Sequence, residues 1–154
     1  MPLLTTKFSI NELSATAQPY YNVPGPIEEL YLLRLCELIL EPLSVLWGVP
    51  ISVSSGYRSQ AVNHAVGGAP ESAHRYGRAA DITPLGLDID RAFGMLVGSP
   101  IPFDQSILEK VKGKQWIHVQ IAKIYERPRR QALTKGDNTP YLAYSLPTIG
   151  EGTA

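Results

Sequence analysis

Residues 72–81 have the sequence SAHRYGRAAD, and two potential metal ligands, His74 and Asp81, stand near its ends. Gly77 between them predicts a turn, and the small and branched residues at 79–82 predict a short strand that follows it. A loop that leads into such a strand can present Asp81 next to His74. The segment therefore predicts one half of a polar site at the start of a strand.

A third potential ligand, His118, lies in the apolar stretch WIHV at residues 116–119. An ionisable imidazole in an apolar strand needs a hydrogen-bonding partner, a cleft or a metal ion. A catalytic zinc site has three protein ligands and one open position, which His74, Asp81 and His118 can supply. Each also has a plain structural explanation: His118 as a hydrogen-bonded core histidine, and Asp81 as a cap at the end of a strand. His64, the remaining histidine, has no such pattern and is interpreted as a surface or helix-end residue.

A hairpin is predicted around His118, with the dipeptide at 112–113 as its two-residue turn. In that register Glu109 pairs with Trp116, and Ile107 pairs with His118. Directly opposed side chains of a hairpin share a face, so Glu109 is expected on the His118 face of the sheet. A slip of one residue would move it to the other face.

The rest of the chain has the pattern of a few helices and short strands. Apolar residues recur at helical spacing over residues 26–46, which predicts a helix of about 20 residues, and Pro42 predicts a kink near its end. The mixture predicts an α+β domain. The other predicted helices cover residues 10–16, 59–65 and 88–97, and the predicted strands cover 50–54, 79–82, 103–109 and 115–121.

Composition limits the class of protein. The chain has 154 residues, of which 44% are apolar, and this fits one globular domain with a core of its own. Lys plus Arg and Asp plus Glu both number 14, so no overall field attracts nucleic acid or an anionic membrane surface. The single cysteine, Cys36, excludes a disulfide framework and a Cys-rich zinc module, and it is expected to be buried. No apolar run is long enough for membrane insertion, and the first residues lack the basic and apolar segments of a signal peptide.

The pattern changes near the end of the chain, where residues 127–154 carry a basic cluster and further glycines without clear periodicity. We interpret this segment as a loosely ordered or partner-bound C-terminal tail, and residues 1–126 as the domain. The basic cluster is interpreted as a solvated surface rather than a nucleic-acid site.

Five blocks of the sequence, in this order, resemble one known family. They are SGYRS at 55–59, Asn63, VGG at 66–68, the SxHxxGxAxD pattern within 72–81, and WIHV at 116–119. From about Phe8 to Val119 the chain resembles the M15 zinc peptidases, which are D-Ala-D-Ala carboxypeptidase-like enzymes, and above all their small cell-wall and phage-associated branch. The resemblance implies a fold of the hedgehog/DD-peptidase type, in which a small antiparallel sheet carries the metal site and helices pack on it.

The resemblance also implies roles for individual residues. The family holds zinc with the first histidine, the aspartate and the last histidine of these blocks, which here are His74, Asp81 and His118. The arginine of the SGYRS block binds the substrate carbonyl or stabilises the oxyanion. This implies the same role for Arg58, whose plain explanation is an exposed loop arginine.

Three more residues of these blocks are candidates for contact with the substrate. Ser72 precedes His74 by two residues, and it either binds near the metal or the substrate or caps a turn. Tyr57 and Trp116 either line a cleft or pack in the core.

The chain departs from better-known members of the family in the general base. Some members have a glutamate three residues before the last zinc histidine, where this chain has Gln115, which cannot take a proton from water. Others have a histidine five residues before it, where this chain has Gly113. Glu109 is our candidate for the general base, with Asp104 as the alternative. The plain explanation of Glu109 is a surface carboxylate at the end of a hairpin.

Together these residues imply a zinc-dependent peptidase that hydrolyses an amide bond in peptidoglycan stem peptides, as a carboxypeptidase or an endopeptidase, through a zinc-activated water. Such an enzyme acts at the bacterial cell wall, and the apparent lack of a signal peptide suits a phage-encoded lysin made in the cytoplasm. Two alternatives stay open: a non-catalytic module that retains zinc and binds the cell wall or a partner, and a structural component of a phage particle. The bond that is cut and the oligomeric state do not follow from the sequence.

Overall fold

The computed structural model describes residues 3–147 as a mixed α+β fold built on one six-stranded sheet. A π-helical turn covers Cys36–Leu40, and a 3-10 turn covers Ala73–Tyr76. Among the residues described, no helix is long and apolar enough to cross a membrane. The helices are α1 (Ile10–Ser14), α2 (Pro26–Leu35), α3 (Glu41–Trp47), α4 (Gln60–Ala65) and α5 (Ile89–Val97). The strands are β1 (Ile51–Ser55), β2 (Ala79–Pro84), β3 (Gln105–Val111), β4 (Lys114–Gln120), β5 (Gln131–Gly136) and β6 (Leu142–Ala143).

The sheet is mixed, whereas the family resemblance implies an antiparallel sheet. Its strands lie in the order β1-β2-β4-β3-β5-β6, and every neighbouring pair is antiparallel except β3 and β5. β4 ends at Gln120, opposite Gln105 at the start of β3, and the chain then passes to the other side of β3, where Gln131 pairs with Gln105. Because β5 begins beside the start of β3, it runs in the same direction, and parallel neighbours require such a crossover.

The described part of the predicted C-terminal tail, residues 127–147, contributes two strands to the sheet. Residues 131–136 and 142–143 form β5 and β6 at one side of the sheet. Most side chains of β5 are half buried on both faces of the strand. A strand in this environment needs no alternation of polar and apolar residues, and the sequence of β5 has none that would indicate a strand. Residues 148–154, the end of the predicted tail, lie outside the described range.

The predicted register of the hairpin is confirmed. Glu109 pairs with Trp116 and Ile107 pairs with His118, around a turn at residues 112–113. Both turn residues have positive φ, 53° and 75°, which a type I′ turn requires. The four paired side chains therefore share one face of the sheet, which we call the front face.

The opposite face of the sheet, the back face, packs against the helices. Ala80 and Ile82 of β2 and Ile117 and Val119 of β4 have no exposed surface there. Burying one large aliphatic side chain of this kind stabilises the fold by about 1.5–3 kcal/mol. Cys36 is buried in the same cluster, as expected. The helices contribute Leu32, Leu35, Ile39, Leu43, Phe93 and Leu96 to it.

The long helix predicted over 26–46 is present as α2, the π-helical turn and α3. In the π-helical turn the N–H of Glu41 donates to the carbonyl of Cys36, five residues back. Pro42 follows directly; it lacks an N–H, and in a regular α-helix its ring would clash with the carbonyl of Leu38. The wider turn relieves this clash, so the predicted kink takes the form of a local change in helix type.

Candidate metal centre

Three potential metal ligands converge on the front face. Asp81 of β2 lies directly opposite His118 of β4, and His74 comes from the 3-10 turn that precedes β2. The Asp81 Oδ1 atom lies 3.4 Å from His74 Nε2 and 3.3 Å from His118 Nδ1. One ligand atom of each residue lies within 4.8 Å of those of the other two, close enough to share an ion.

Local sequence explains how the 3-10 turn holds His74 in place. Ser72 Oγ accepts a hydrogen bond from the backbone N–H of His74 at 3.3 Å, and this caps the turn. Gly77 ends the turn with φ of 75°, and a Cβ at this position would clash with the carbonyl oxygen of Glu28. Glycine meets both requirements. Ser72 thus has the capping role that was one of its two predicted roles, and it also lines the cleft beside the ligands.

The outer nitrogens of both histidines have acceptors of their own. His74 Nδ1 lies 2.7 Å from the carbonyl oxygen of Gly56, and His118 Nε2 lies 3.2 Å from Gln120 Oε1. The inner nitrogens, His74 Nε2 and His118 Nδ1, face Asp81 Oδ1 and can donate to it in the metal-free protein. With the protons on the outer nitrogens, two lone pairs and a carboxylate oxygen converge, and this donor set fits a divalent ion such as zinc.

The charges of the three ligands suit a metal ion. Burial alone would raise the pKa of Asp81, but the charges and hydrogen bonds of His74 and His118 lower this pKa far below its usual range. Burial lowers the pKa of His74. Burial also acts to lower the pKa of His118, but its interaction with Asp81 outweighs burial and raises the pKa. Asp81 is therefore ionised at neutral pH, and a metal ion competes with a proton for His118.

Arg58 lies beside the ligands rather than in solvent. β1 ends at Ser55, directly opposite Asp81, and this brings the residues that follow to the cluster. Arg58 Nη2 lies 3.4 Å from Asp81 Oδ2. Its Nε donates to Ser55 Oγ at 3.1 Å, and its Nη1 donates to Asn63 Oδ1 at 3.2 Å. The guanidinium is thus fixed in position where it lines the cleft.

The cluster opens into a polar cleft of about 490 Å³. Tyr57, a predicted contact for the substrate, does not line the cleft, because it is 9% exposed and packs in the core. Core packing was the second of the two explanations that its sequence allowed. The predicted residues that line the cleft are Arg58, Ser72, His74, Asp81, Glu109, Trp116 and His118.

Glu109 lies on the front face, next to the ligands, as the hairpin register predicts. Its Oε2 atom accepts a hydrogen bond from Trp116 Nε1 at 2.8 Å. Burial, and then the charge of Asp81, raise the pKa of Glu109. A half-buried carboxylate with a raised pKa is suited to accept and return a proton.

Asp104, the alternative general base, is engaged elsewhere. Its Oδ1 accepts hydrogen bonds from the backbone N and Nε of Arg129, and its Oδ2 accepts from Arg129 Nη2 and Gln120 Nε2. Burial acts to raise the pKa of Asp104, but the hydrogen bonds from Arg129 lower it by more. Since Asp104 does not line the cleft, it forms a structural ion pair.

Two residues of the site have no counterpart in the sequence-based prediction. Gln120 holds the outer nitrogen of His118, and the two-residue period of β4 could have indicated it, since alternate side chains share a face. Tyr141 lines the cleft although it belongs to the segment beyond residue 126. No local pattern indicates Tyr141, because the pairing of β5 with β3 brings that segment to the site.

Comparison with known families agrees with this geometry. The sequence matches the family model described as Peptidase M15 over residues 7–120. The match contains His74, Asp81 and His118 and ends with β4. No curated protein matches the chain at a significant level. Because the family match covers well over half of the chain, the protein belongs to the M15 peptidase family, whose members are metallopeptidases.

Proposed function

We propose that the protein is a zinc-dependent peptidase, of the D,D-carboxypeptidase or endopeptidase type, that cleaves an amide bond in peptidoglycan stem peptides. One observation carries this proposal: His74 Nε2, Asp81 Oδ1 and His118 Nδ1 converge in a chain that belongs to a metallopeptidase family. Two nitrogen ligands and one oxygen ligand leave one position of a tetrahedral zinc site open, as catalysis needs.

The residues around the ligands supply the proton transfers of amide hydrolysis. His74, Asp81 and His118 would hold a zinc ion, which would supply Lewis acidity for the scissile carbonyl and the attacking water. Glu109 has its Oε2 bonded to Trp116, so its Oε1 is the atom that accepts the proton of the attacking water. Glu109 then gives this proton to the amine nitrogen as the C–N bond breaks, which yields a carboxyl group and a new amino group.

Arg58 stabilises the negative charge that develops on the carbonyl oxygen. Its guanidinium is already held by Ser55, Asn63 and Asp81, so little reorganisation accompanies the reaction. Preorganised donors of this kind typically contribute about 10²–10³-fold to the rate.

Peptidoglycan of the bacterial cell wall is the substrate that the sequence blocks favour. The cleft of about 490 Å³ has room for a short stretch of peptide, and both polar groups and the aromatic side chains of Trp116 and Tyr141 line it. Such a lining suits a polar stem peptide. From the same sequence blocks we infer a fold of the hedgehog/DD-peptidase type and a place among the cell-wall lysins, including those of phages.

The alternative of a non-catalytic zinc-binding module depends on Gln115, which stands where some family members have a glutamate. Gln115 and His118 are an odd number of positions apart on β4, so their side chains lie on opposite faces. A glutamate at this position of β4 would not face the ligands. Glutamine at position 115 is therefore no argument against catalysis in this chain.

The direct test is incubation of the zinc-loaded protein with purified peptidoglycan. We expect the release of new amino groups, and mass spectrometry of the fragments then identifies the bond. His118→Ala, treated in the same way, is the matched negative control. Stoichiometric zinc binding without release of amino groups would contradict the proposal and favour the binding module.

A further inference from the structure

A line of hydrogen-bonded side chains runs from the protein surface to one of the metal ligands. Arg129, whose side chain is 55% exposed, donates from Nε and Nη2 to the carboxylate of Asp104, whose side chain is 7% exposed. Asp104 Oδ2 accepts a hydrogen bond from Gln120 Nε2 at 3.0 Å. Gln120 Oε1 lies 3.2 Å from His118 Nε2. We call Arg129, Asp104 and Gln120 the outer triad.

The chemistry of each member decides the orientation of the next. The carboxylate of Asp104, paired with Arg129, has no proton to donate, so Gln120 must direct its NH₂ group at it. The Oε1 atom of Gln120 then faces His118 and can accept a proton from Nε2. Asp81 Oδ1, 3.3 Å from Nδ1, competes for the proton of the neutral ring, and the Gln120 acceptor favours the tautomer that has its lone pair on Nδ1.

We propose that the outer triad positions the metal ligand His118 by giving its Nε2–H group an acceptor, which favours the tautomer whose Nδ1 lone pair is free for an ion. This inference rests on the proposed metal site. Arg129 lies beyond residues 7–120, which match the family model, so the crossover from β4 to β5 supports the site from outside the matched region.

His74 provides an internal comparison. Its outer nitrogen, Nδ1, bonds to the backbone carbonyl of Gly56 at 2.7 Å. No substitution in the outer triad removes this backbone acceptor. The loss of the outer triad is therefore expected to change the tautomer of His118 and to leave that of His74 as it is.

NMR spectroscopy of the metal-free protein tests the tautomer directly. Long-range ¹⁵N–¹H spectra, recorded at a pH at which both rings are neutral, report which ring nitrogen carries the proton. In the wild type we expect the Nε2–H tautomer of His118 to be populated, because Gln120 Oε1 accepts its proton in competition with Asp81. In Gln120→Leu, which removes the acceptor, and in Asp104→Asn, which lets the Gln120 amide rotate, we expect the population to shift to the Nδ1–H tautomer, bonded to Asp81. The same tautomer population in the wild type and in both variants would overturn the proposal.

Zinc affinity, measured by competition with a chelator, is the second readout. Hydrogen-bonding partners of metal-binding histidines typically contribute about 10- to 100-fold to affinity, and we expect Gln120→Leu to weaken the zinc Kd by about this factor. Arg129→Ala keeps the buried residues in place and should weaken the Kd by less. Asp90→Asn, which breaks an exposed ion pair with Lys110 of β3, is the matched control and should leave the Kd unchanged. A wild-type Kd in both Gln120→Leu and Arg129→Ala would refute the role of the outer triad.

The experiment separates a failure of this inference from a failure of the proposed function. If the wild-type protein binds no zinc, the proposed function is wrong, whereas the tautomer of His118 in the metal-free protein still decides the role of the outer triad. If the wild type binds zinc and the variants match it in both Kd and tautomer, the outer triad alone is refuted.

Discussion

Glu109 and Trp116 face each other across the β3–β4 hairpin, and the Glu109 carboxylate accepts a hydrogen bond of 2.8 Å from the indole nitrogen. This bond occupies Oε2 and leaves Oε1 free. The next pair on the same face is Ile107 with His118. The hairpin therefore brings a carboxylate to the metal ligands from β3, with no contribution from position 115 of β4.

Glu109→Gln should separate metal binding from catalysis. The amide keeps the shape of the side chain but does not accept a proton at neutral pH. We expect an unchanged zinc content and a kcat that is lower by about 10²–10⁴-fold, the usual contribution of a general base. Metal analysis and the rate of amino-group release from peptidoglycan measure the two effects. Glu37→Gln, at an exposed helical position, is the control, and a wild-type rate in Glu109→Gln would assign the proton transfer to another group.

Trp116→Phe should move the acid limb of the pH–rate profile to higher pH. Burial and the charge of Asp81 raise the pKa of Glu109, whereas the hydrogen bond from Trp116 lowers it. Loss of this bond destabilises the carboxylate form, so the pKa of Glu109 rises further. A general base works only when deprotonated, and the rate then begins to fall at a higher pH on acidification. The measurement is kcat/KM against pH at saturating zinc; an acid limb at the wild-type position would show that Trp116 does not influence the base.

The parts of the fold and site that the sequence predicts have local causes. The hairpin register depends on the two turn residues at 112–113, whose positive φ values favour a tight turn. The 3-10 turn depends in the same way on Ser72 and Gly77. Together with the two-residue period of the strands, these local signals suffice to place Asp81 and His118 on one face.

The parts that the sequence does not predict depend on distant partners. Arg129 and Tyr141 reach the site because β5 pairs with β3, and the half-buried sequence of β5 has no alternation that would indicate this pairing. Tyr57 and Arg58 are neighbours in one sequence block, yet the first packs in the core and the second lines the cleft. A block of sequence marks a region of the site, whereas the role of each residue depends on the direction of its side chain.

His118→Ala should lose zinc and activity together, because two protein ligands do not make a stable zinc site. Zinc that binds the folded state also stabilises it, so zinc should raise the Tm of the wild type and leave that of the variant unchanged. Metal analysis after dialysis, thermal unfolding and amino-group release are the three readouts. His64→Ala, at an exposed position that does not line the cleft, should behave as the wild type. An unchanged metal content in His118→Ala would remove His118 from the site.

Tyr141→Ala should weaken substrate binding more than it slows the chemical step. The tyrosine lines the cleft with Glu109 and Trp116 and is 56% exposed, so a bound peptide can cover its ring. The loss of an interaction that is equally strong in the ground state and the transition state raises KM and leaves kcat unchanged. We expect KM to rise about fivefold, for the loss of about 1 kcal/mol of aromatic contact, with kcat within about twofold. Tyr125→Ala, at a side chain that is 99% exposed, is the control. If KM and kcat both stay at wild-type values in Tyr141→Ala, the segment after β5 does not contact the substrate.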